Sequence, residues 1–547
     1  MVNQGPSRGC HTCKARRVRC DEGRPTCCHC RRLGYICGGY ERKPPKLRFK
    51  VQVAAGPQRQ QNTGAVASAV AAPSLARSPG YPEPDLAMGF FFTYFVDAGR
   101  TLASTRGFFE ALPPILATEA KDSAATTAVT ALATRMLSLW RGDAQSFTAP
   151  HKPLGVALAR LGSALQTQEE RVSRATPFAA LVMQFYENMN AIYGFREVNR
   201  THHDGAVALL MQHDLSISDG EIGIHVVRRI LHCEVSYRLH SGTAFPANME
   251  EWLKRNLVVQ NPSTILDTIG ISIANIQHAF TRLRQQPTPE SWRAVEILLA
   301  EIETTETLLR EWPSVLPNHW APVTLPAVPD AVPPIPTYAG RCDIYPASQV
   351  AAIWNIWRCH QLILLKIRLA ALDYKARSEP SEYHPPTTLM RGTRERVQEL
   401  VDAVCHSIPF YVGNRYKRGA LSDLTNPTIL HTSYFDLDPS SEQFLKYKAS
   451  DNYMSSEAHR GHIVVQGPWH MMTCLSAVIN LLSGNDEGSL LLARALRPGQ
   501  LNWMRKQFVR TAALVAIELP VKQQPLAHDV ALLAGKVSEG LKMASGS

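Results

Sequence analysis

At 547 residues the chain is too long for one small domain, and a hydrophobic fraction of 45% excludes a disordered polymer. The net charge of +11 is localised: residues 1–50 hold 13 Lys/Arg against three acidic residues, which leaves +1 for the other 497. No apolar stretch reaches the roughly 20 residues that a bilayer helix requires, so no membrane span is expected, and the longest run, Trp469 to Leu482, reads as a buried helix.

The first fifty residues organise the chain. Cys10, Cys13, Cys20, Cys27, Cys30 and Cys37 repeat the unit C-x2-C-x6-C twice. Six thiols in so short a span admit a disulfide framework or a metal site, and compartment decides between them. The residues before Cys10 contain no apolar run resembling a secretion signal, so zinc is the better reading. A zinc closed by cysteine alone takes four thiolates, and two zincs need eight ligand positions. Six cysteines fill eight positions only when two of them bridge both metals, and the internal repeat points to the first cysteine of each half, Cys10 and Cys27. Cys28 breaks the spacing and reads as a bystander.

The segment Cys10–Cys37 resembles the six-cysteine binuclear zinc cluster of fungal transcription regulators, and Pro25 matches the loop proline often found between the two halves of such clusters. The resemblance implies two zinc ions per chain and double-stranded DNA as partner. It also implies a helix after the second cysteine that enters the major groove. Between Cys13 and Cys20 the chain carries Lys14, Arg16, Arg17 and Arg19. By position Arg17 matches the principal base-reading lysine of the family, with Arg16 beside it. Arginine donates to O6 and N7 of guanine with a planar fork, which suits the family's CGG triplet. Lys14, Arg19, Arg8, Arg31 and Arg32 are expected on phosphates. Val18, Leu33, Tyr35 and Ile36 are the only sizeable apolar candidates for a core, so metal binding must supply most of the folding free energy of this module.

A basic patch after Gly38-Gly39 suits phosphate contact or nuclear import. From Val51 to Pro84 the composition turns to Ala, Gln, Pro, Gly and Ser, which reads as a flexible linker; no heptad pattern can be drawn through it. Residues 8–40 are thus expected to form the zinc cluster, 41–84 the basic patch and linker, and 85–547 a large domain.

That domain reads as all-α, so the fold class is mainly α: a small zinc cluster of two short helices, a flexible linker and a large helical domain. After an aromatic opening at Phe90–Phe95, helices are expected near 123–141, 154–167, 176–193, 204–213, 222–239, 264–284 and 290–311. In the last of these Thr288 is the expected cap, Pro289 the first helical position, and Trp292, Val295, Leu299, Ile302 and Leu309 one face. A Pro-rich break follows near 313–336, and helices resume at 347–377, 390–407, 466–483, 489–517 and 527–543. Residues 434–457, mixing acids and aromatics, read as a surface loop. The run Phe91-Phe92-Thr93-Tyr94-Phe95 and the segment His202-His203-Asp204-Gly205-Ala206 resemble motifs of the fungal-specific transcription-factor domain that accompanies binuclear clusters.

Composition and motifs leave two function classes. The first is a nuclear, sequence-specific, zinc-dependent regulator of RNA polymerase II genes, with co-regulators or the transcription machinery as partners and any homodimer formed through the helical region. The second is an enzyme, or a ligand-binding helical protein, with an appended zinc module. A nucleophile elbow, phosphate loop, dinucleotide fingerprint and HExxH are all missing from the sequence, so no catalytic residues are assigned. Cys233, Cys342, Cys359, Cys405 and Cys474 lack partners at metal-ligand spacing and read as buried thiols.

Overall fold

The computed structural model describes residues 9–23, 26–39, 83–96, 109–142, 151–173, 175–194, 197, 199–212, 220–256, 260–327, 332–378, 387–426, 428–429, 438–450, 453, 455–517 and 527–544. Arg8, Pro25, the basic patch and nearly all of the linker lie outside them. The chain divides into two compact units, Met1–Arg77 and Ser78–Ser547.

In the first unit, two one-turn helices, α1 (His11–Ala15) and α2 (Cys28–Arg32), start in the same way. Cys10 and Cys27 are their N-caps, both extended, and each Sγ accepts from the backbone N–H three residues on, Cys13 and Cys30, at 3.3 Å. A sulfur thus takes the place of the usual oxygen cap and satisfies an otherwise orphaned donor. Both helices also end alike. In α1 the N–H of Arg17 reaches Lys14 O and that of Val18 reaches Cys13 O; in α2, Gly34 reaches Arg31 O and Tyr35 reaches Cys30 O. This paired closure requires a left-handed residue just past the helix end.

The second unit is helical. Its first helix, α3 (Glu83–Phe91), passes into a π-turn at Phe92–Val96. The carbonyls of Tyr94 and Phe95 are taken by the Gln466 side chain, both at 3.0 Å. Phe91 stacks on Phe95 and meets Phe109 edge-on, so the aromatic opening is an interior anchor. After α4 (Leu112–Leu116) comes α5 (Ala124–Arg141), capped by Ser123 and stopped by Gly142 in the left-handed region (φ 105°). Then follow α6 (Lys152–Gln166), α7 (Gln168–Arg171), α8 (Ala175–Gly194), α9 (Thr201–Met211), α10 (Gly220–Ser241) and α11 (Ala247–Asn256). α8 is buried along nearly its whole length and packs on α5 and α9.

α12 (Pro262–Gln285) opens with an Asn261/Thr264 capping box and Pro262 in the first turn. α13 (Ser291–Glu311) starts later than the sequence suggested. Thr288 does not cap it; its N–H donates to Ser291 Oγ at 2.7 Å, reversing the expected roles. Val295, Leu298, Ile302 and Leu309 form its buried stripe against α12 and α14 (Ser348–Ser378), while Trp292 and Leu299 are half-buried.

The Pro-rich stretch carries more structure than a loop. Its strand β1 (Val323–Pro326) pairs antiparallel with β2 (Arg341–Ile344), Val323 opposite Ile344, the one sheet among the described residues. Trp312 and Trp320 are buried. The indole of Trp312 donates to Pro262 O, and Trp354 of α14 donates to Trp320 O, both at 2.8 Å. These tryptophans tie the prolines to the helices on either side.

The remaining helices are α15 (Thr387–Val412), α16 (Glu442–Lys448), α17 (Ser456–Val465), α18 (Gly467–Ser483), α19 (Glu487–Ala493), α20 (Gln500–Leu514) and α21 (Ala527–Ala544). The expected single helix at 489–517 is two, because Pro498 cannot continue a helix and Gly499 turns left-handed (φ 78°). The expected loop at 434–457 contains α16, with Phe444 and Tyr447 buried and the Tyr447 hydroxyl donating to Pro346 O at 2.9 Å. α18 is the apolar run noted from sequence; it packs on α14, α15, α20 and α21, and among the described residues no helix is long and apolar enough to cross a membrane.

A buried ionic cluster joins α9 to α10. Glu234 accepts from His203 Nε2 (2.8 Å), Arg200 and Arg238 (3.3 Å). Burial pushes the Glu234 carboxyl up, but hydrogen bonding from His203 and the charge of Arg200 outweigh it and hold the group at about 2. The carboxylates near His202 and His203 come from other helices: Glu187 meets His202 at 2.9 Å. His203, Asp204 and Glu234 lie close enough to suit a cation. That charge is already supplied by the Arg200 guanidinium, bonded to both acids.

Candidate metal centre and nucleic-acid interface

All six repeat cysteines converge. Cys10, Cys13, Cys27 and Cys30 are fully buried, and Cys20 and Cys37 pack against them. Their Sγ atoms form two sets of four, Cys10/Cys13/Cys20/Cys27 and Cys10/Cys27/Cys30/Cys37, with all atoms of a set within 4.8 Å of one another. The two sets share Cys10 and Cys27. The Cys10–Cys27 separation is 3.7 Å, and Cys10–Cys30 and Cys13–Cys27 are both 3.8 Å. These are far beyond disulfide bonding, and none of the cysteines forms a disulfide.

The spacing fits zinc. A tetrahedron with metal–sulfur arms of about 2.3 Å has edges of about 3.8 Å, the separation seen between these sulfurs. Charge makes the same demand. Burial and neighbouring thiols push the Cys13 thiol up to about 12. Cys27 is raised too, although the Cys30 N–H opposes it. Cys37, which accepts from the backbone N–H groups of Cys27 and Gly39, is held below the usual thiol value. Six thiolates at this spacing need multivalent cations among them. Zinc held here would supply bond energy that closes the module.

Little else holds the module together. Val18, Leu33, Tyr35 and Ile36, the apolar candidates from the sequence, are all exposed, Ile36 at 91%. The ends are tied by His11 N–H to Gly39 O (2.9 Å) and by the Thr12 hydroxyl, which donates to Ile36 O and accepts from Gly38 N–H, both at 2.8 Å. Asp21, not singled out by spacing, receives the N–H groups of Cys28 and His29 (2.9 and 3.1 Å), which hold its carboxyl well below the usual range. Cys28 is exposed and outside both sulfur sets, with Arg31 Nη2 at 3.5 Å from its sulfur.

The basic residues surround this cage. The helix expected after the second cysteine runs through it instead, because Cys10 caps it, and it ends at Ala15. Lys14 is half-buried in its last turn, and Arg16, Arg17, Arg19, Arg31 and Arg32 are exposed. The Arg16 guanidinium lies over the Tyr35 ring, 3.8 Å from its centroid, so it cross-braces the two halves. Arg17 lies beyond the helix with φ 53°. Its counterpart in the other half is Gly34, φ 70°. Aligning Cys10 with Cys27 in the sequence already places Arg17 on Gly34, so the repeat itself marks this position. A non-glycine residue here costs about 1 kcal/mol more than glycine.

Residues 8–47 match the fungal Zn(2)-Cys(6) binuclear cluster domain. Over 36 residues the chain is 53% identical to the pestheic acid cluster transcriptional regulator 3 of Pestalotiopsis fici, covering 7% of this chain and 6% of that protein. Over 51 residues it is 41% identical to the white-opaque regulator 2 of Candida albicans, covering 9% and 11%. The similarity thus spans about a tenth or less of either relative, and no solved structure matches the chain. Residues 8–47 carry a zinc-binding domain of the fungal Zn(2)-Cys(6) binuclear cluster family.

Proposed function

We propose that this protein is a nuclear, zinc-dependent, sequence-specific DNA-binding regulator of transcription at RNA polymerase II genes. Cys10, Cys13, Cys20, Cys27, Cys30 and Cys37 hold two zinc ions, with Cys10 and Cys27 as bridges. Arg17 reads guanines of a CGG-type triplet, and Lys14, Arg8, Arg19, Arg31 and Arg32 contact phosphates. Arg16, braced on Tyr35, presents charge beside the reader. Residues 85–547 form the regulatory domain, which meets co-regulators or the transcription machinery and carries any homodimer contact.

One observation carries the reading most directly. Arg17, like Glu22 opposite Gly39, holds a left-handed backbone position where the other half of the repeat has the less costly glycine, so a basic side chain stands there at some expense of fold stability. The side chain emerges at the end of a capped helix, beside a cage that has no apolar core of its own to protect. Selection of DNA from a random pool by the full-length protein is expected to return G-rich triplets. Arg17→Ala should weaken the selected site by about 1–3 kcal/mol and relax its base preference, while Arg31→Ala weakens all sequences alike. Equal loss on selected and random DNA for Arg17→Ala overturns the assignment.

A further inference from the structure

The helical unit contains a cavity of about 430 Å³ that the DNA reading does not use. It lies among α10, α12, α14, α18 and α19, where four long helices face one another. Helices of this length normally fill such a gap with large apolar side chains. Here four of the lining positions are small: Ser236 on α10, Thr281 on α12, and Thr473 and Ala477 one turn apart on α18. Ser236, Thr473 and Ala477 are half-buried, and Thr281 is exposed where the cavity opens. The space therefore comes from side-chain choice.

The lining also has polarity of a particular kind. Leu239, Phe280, Ile363 and Val478 supply apolar wall. Of the Lys, Arg, Asp and Glu side chains that line the cavity, Lys366 is matched by Asp486 at 2.8 Å, leaving the Arg284 guanidinium, exposed at the rim and over the Phe280 ring at 5.8 Å, as the excess charge. His232, also in the wall, is paired at 2.9 Å with Asp267, whose charge is thereby directed to the imidazole. The wall also carries His240, His360, His470, Gln277, Asn355 and Asn480. A cavity of several hundred Å³ with apolar wall and placed polar groups is the form a small-molecule site takes.

From these features the geometry points to a binding site for a compact, mostly apolar organic acid, its hydrocarbon body between α12, α14 and α18 and its acidic group toward Arg284. Gly488 fixes the packing of α19 beside the cavity. A Cβ there would lie 2.9 Å from both the Lys366 backbone oxygen and its Cγ, so only glycine lets α19 close on α14 beside the Lys366–Asp486 pair.

The test uses zinc-loaded full-length protein and 1-anilinonaphthalene-8-sulfonate, an apolar aromatic anion whose fluorescence reports binding. One site per chain is expected, with displacement by 1-naphthoate and at least about tenfold weaker displacement by 1-naphthylmethylammonium, a difference worth about 1.4 kcal/mol. Ala477→Phe should fill the cavity and weaken dye binding about tenfold or more. Thr281→Trp, at the exposed edge, does the same without threatening the core. Arg284→Ala should weaken 1-naphthoate several-fold and leave uncharged 1-naphthalenemethanol unchanged. Unchanged dye affinity in either folded filling variant, or equal displacement by the amine and the acid, overturns the proposal. DNA binding is read separately, so failure here leaves the Arg17 assignment standing, and the converse holds.

Discussion

The two units solve the folding problem with different materials. In the second, long helices bury a continuous hydrocarbon core, from Phe91 through Ile273 to Val537. In the first, the buried side chains among the described residues are four cysteines, and the larger apolar residues described there face outward. A hydrocarbon core contributes in proportion to the area removed from water. A sulfur cage contributes only when a cation neutralises it. The large unit is consequently expected to fold by burial, and the small one by metal.

Metal removal separates the two most sharply. Two zinc ions per chain are expected by elemental analysis of the full-length protein, with Cys28→Ser leaving that number unchanged and Cys27→Ser lowering it. Structural zinc in small modules binds with an apparent free energy of about 10–16 kcal/mol, so excess chelator should abolish sequence-specific DNA binding. The far-UV helical signal and the thermal transition of the large unit should persist. Loss of both together would mean that the helical unit also depends on metal.

Next in size is the ionic cluster at α9–α10. Glu234→Ala removes the buried acceptor shared by His203, Arg200 and Arg238, leaving Arg200 with Asp204, and should destabilise the helical unit by about 3–5 kcal/mol, with zinc content unchanged. Its carboxyl is depressed in the folded state to about 2. Its contribution is therefore fully present above the unfolded value of about 4.3 and is lost as pH falls toward 2. Denaturant titrations of the wild type across that window should show falling stability, and the fall should be smaller in Glu234→Gln.

The left-handed arginine gives a smaller effect of mixed sign. Arg17→Gly should stabilise the zinc module by up to about 1 kcal/mol, seen as slower zinc loss to a competing chelator, and still weaken the selected DNA site. Gly34→Arg, the mirror exchange, should only destabilise. Equal DNA affinity for Arg17→Gly and wild type would show that the Arg17 side chain does not contact the selected site.

The smallest expected effect concerns caps. Ser123 caps α5 with an oxygen that accepts from Thr126 N–H at 3.2 Å, and Ser123→Ala should cost about 1 kcal/mol in urea unfolding. Cys10, a cap by the same geometry, should cost far more when changed to Ala, because its sulfur serves both metal sets.

Much of this was legible in the chain. Two copies of C-x2-C-x6-C determine how many ligands lie near one another and which two can be shared, because a short loop keeps its ends close. The long helices were equally readable, since an amphipathic period persists over several turns. Short elements were not: α11, α16 and α17 run for ten residues or fewer, and their periods are too brief to register. The Pro498-Gly499 break was available in the sequence but was overridden by apolar residues on both sides.

What tertiary structure alone decided is where distant residues meet. No spacing rule brings Glu234 to His203 across 31 positions, or Asp486 to Lys366 across 120. The cavity is of the same kind, since Ser236, Thr281, Thr473 and Ala477 are unremarkable helix residues until four helices pack and their small side chains leave room. Local sequence determines backbone hydrogen bonding within a few residues, and so sets helices, caps and the cysteine cage. Voids and buried ion pairs depend on long-range packing, which is settled only when every helix competes for the same interior.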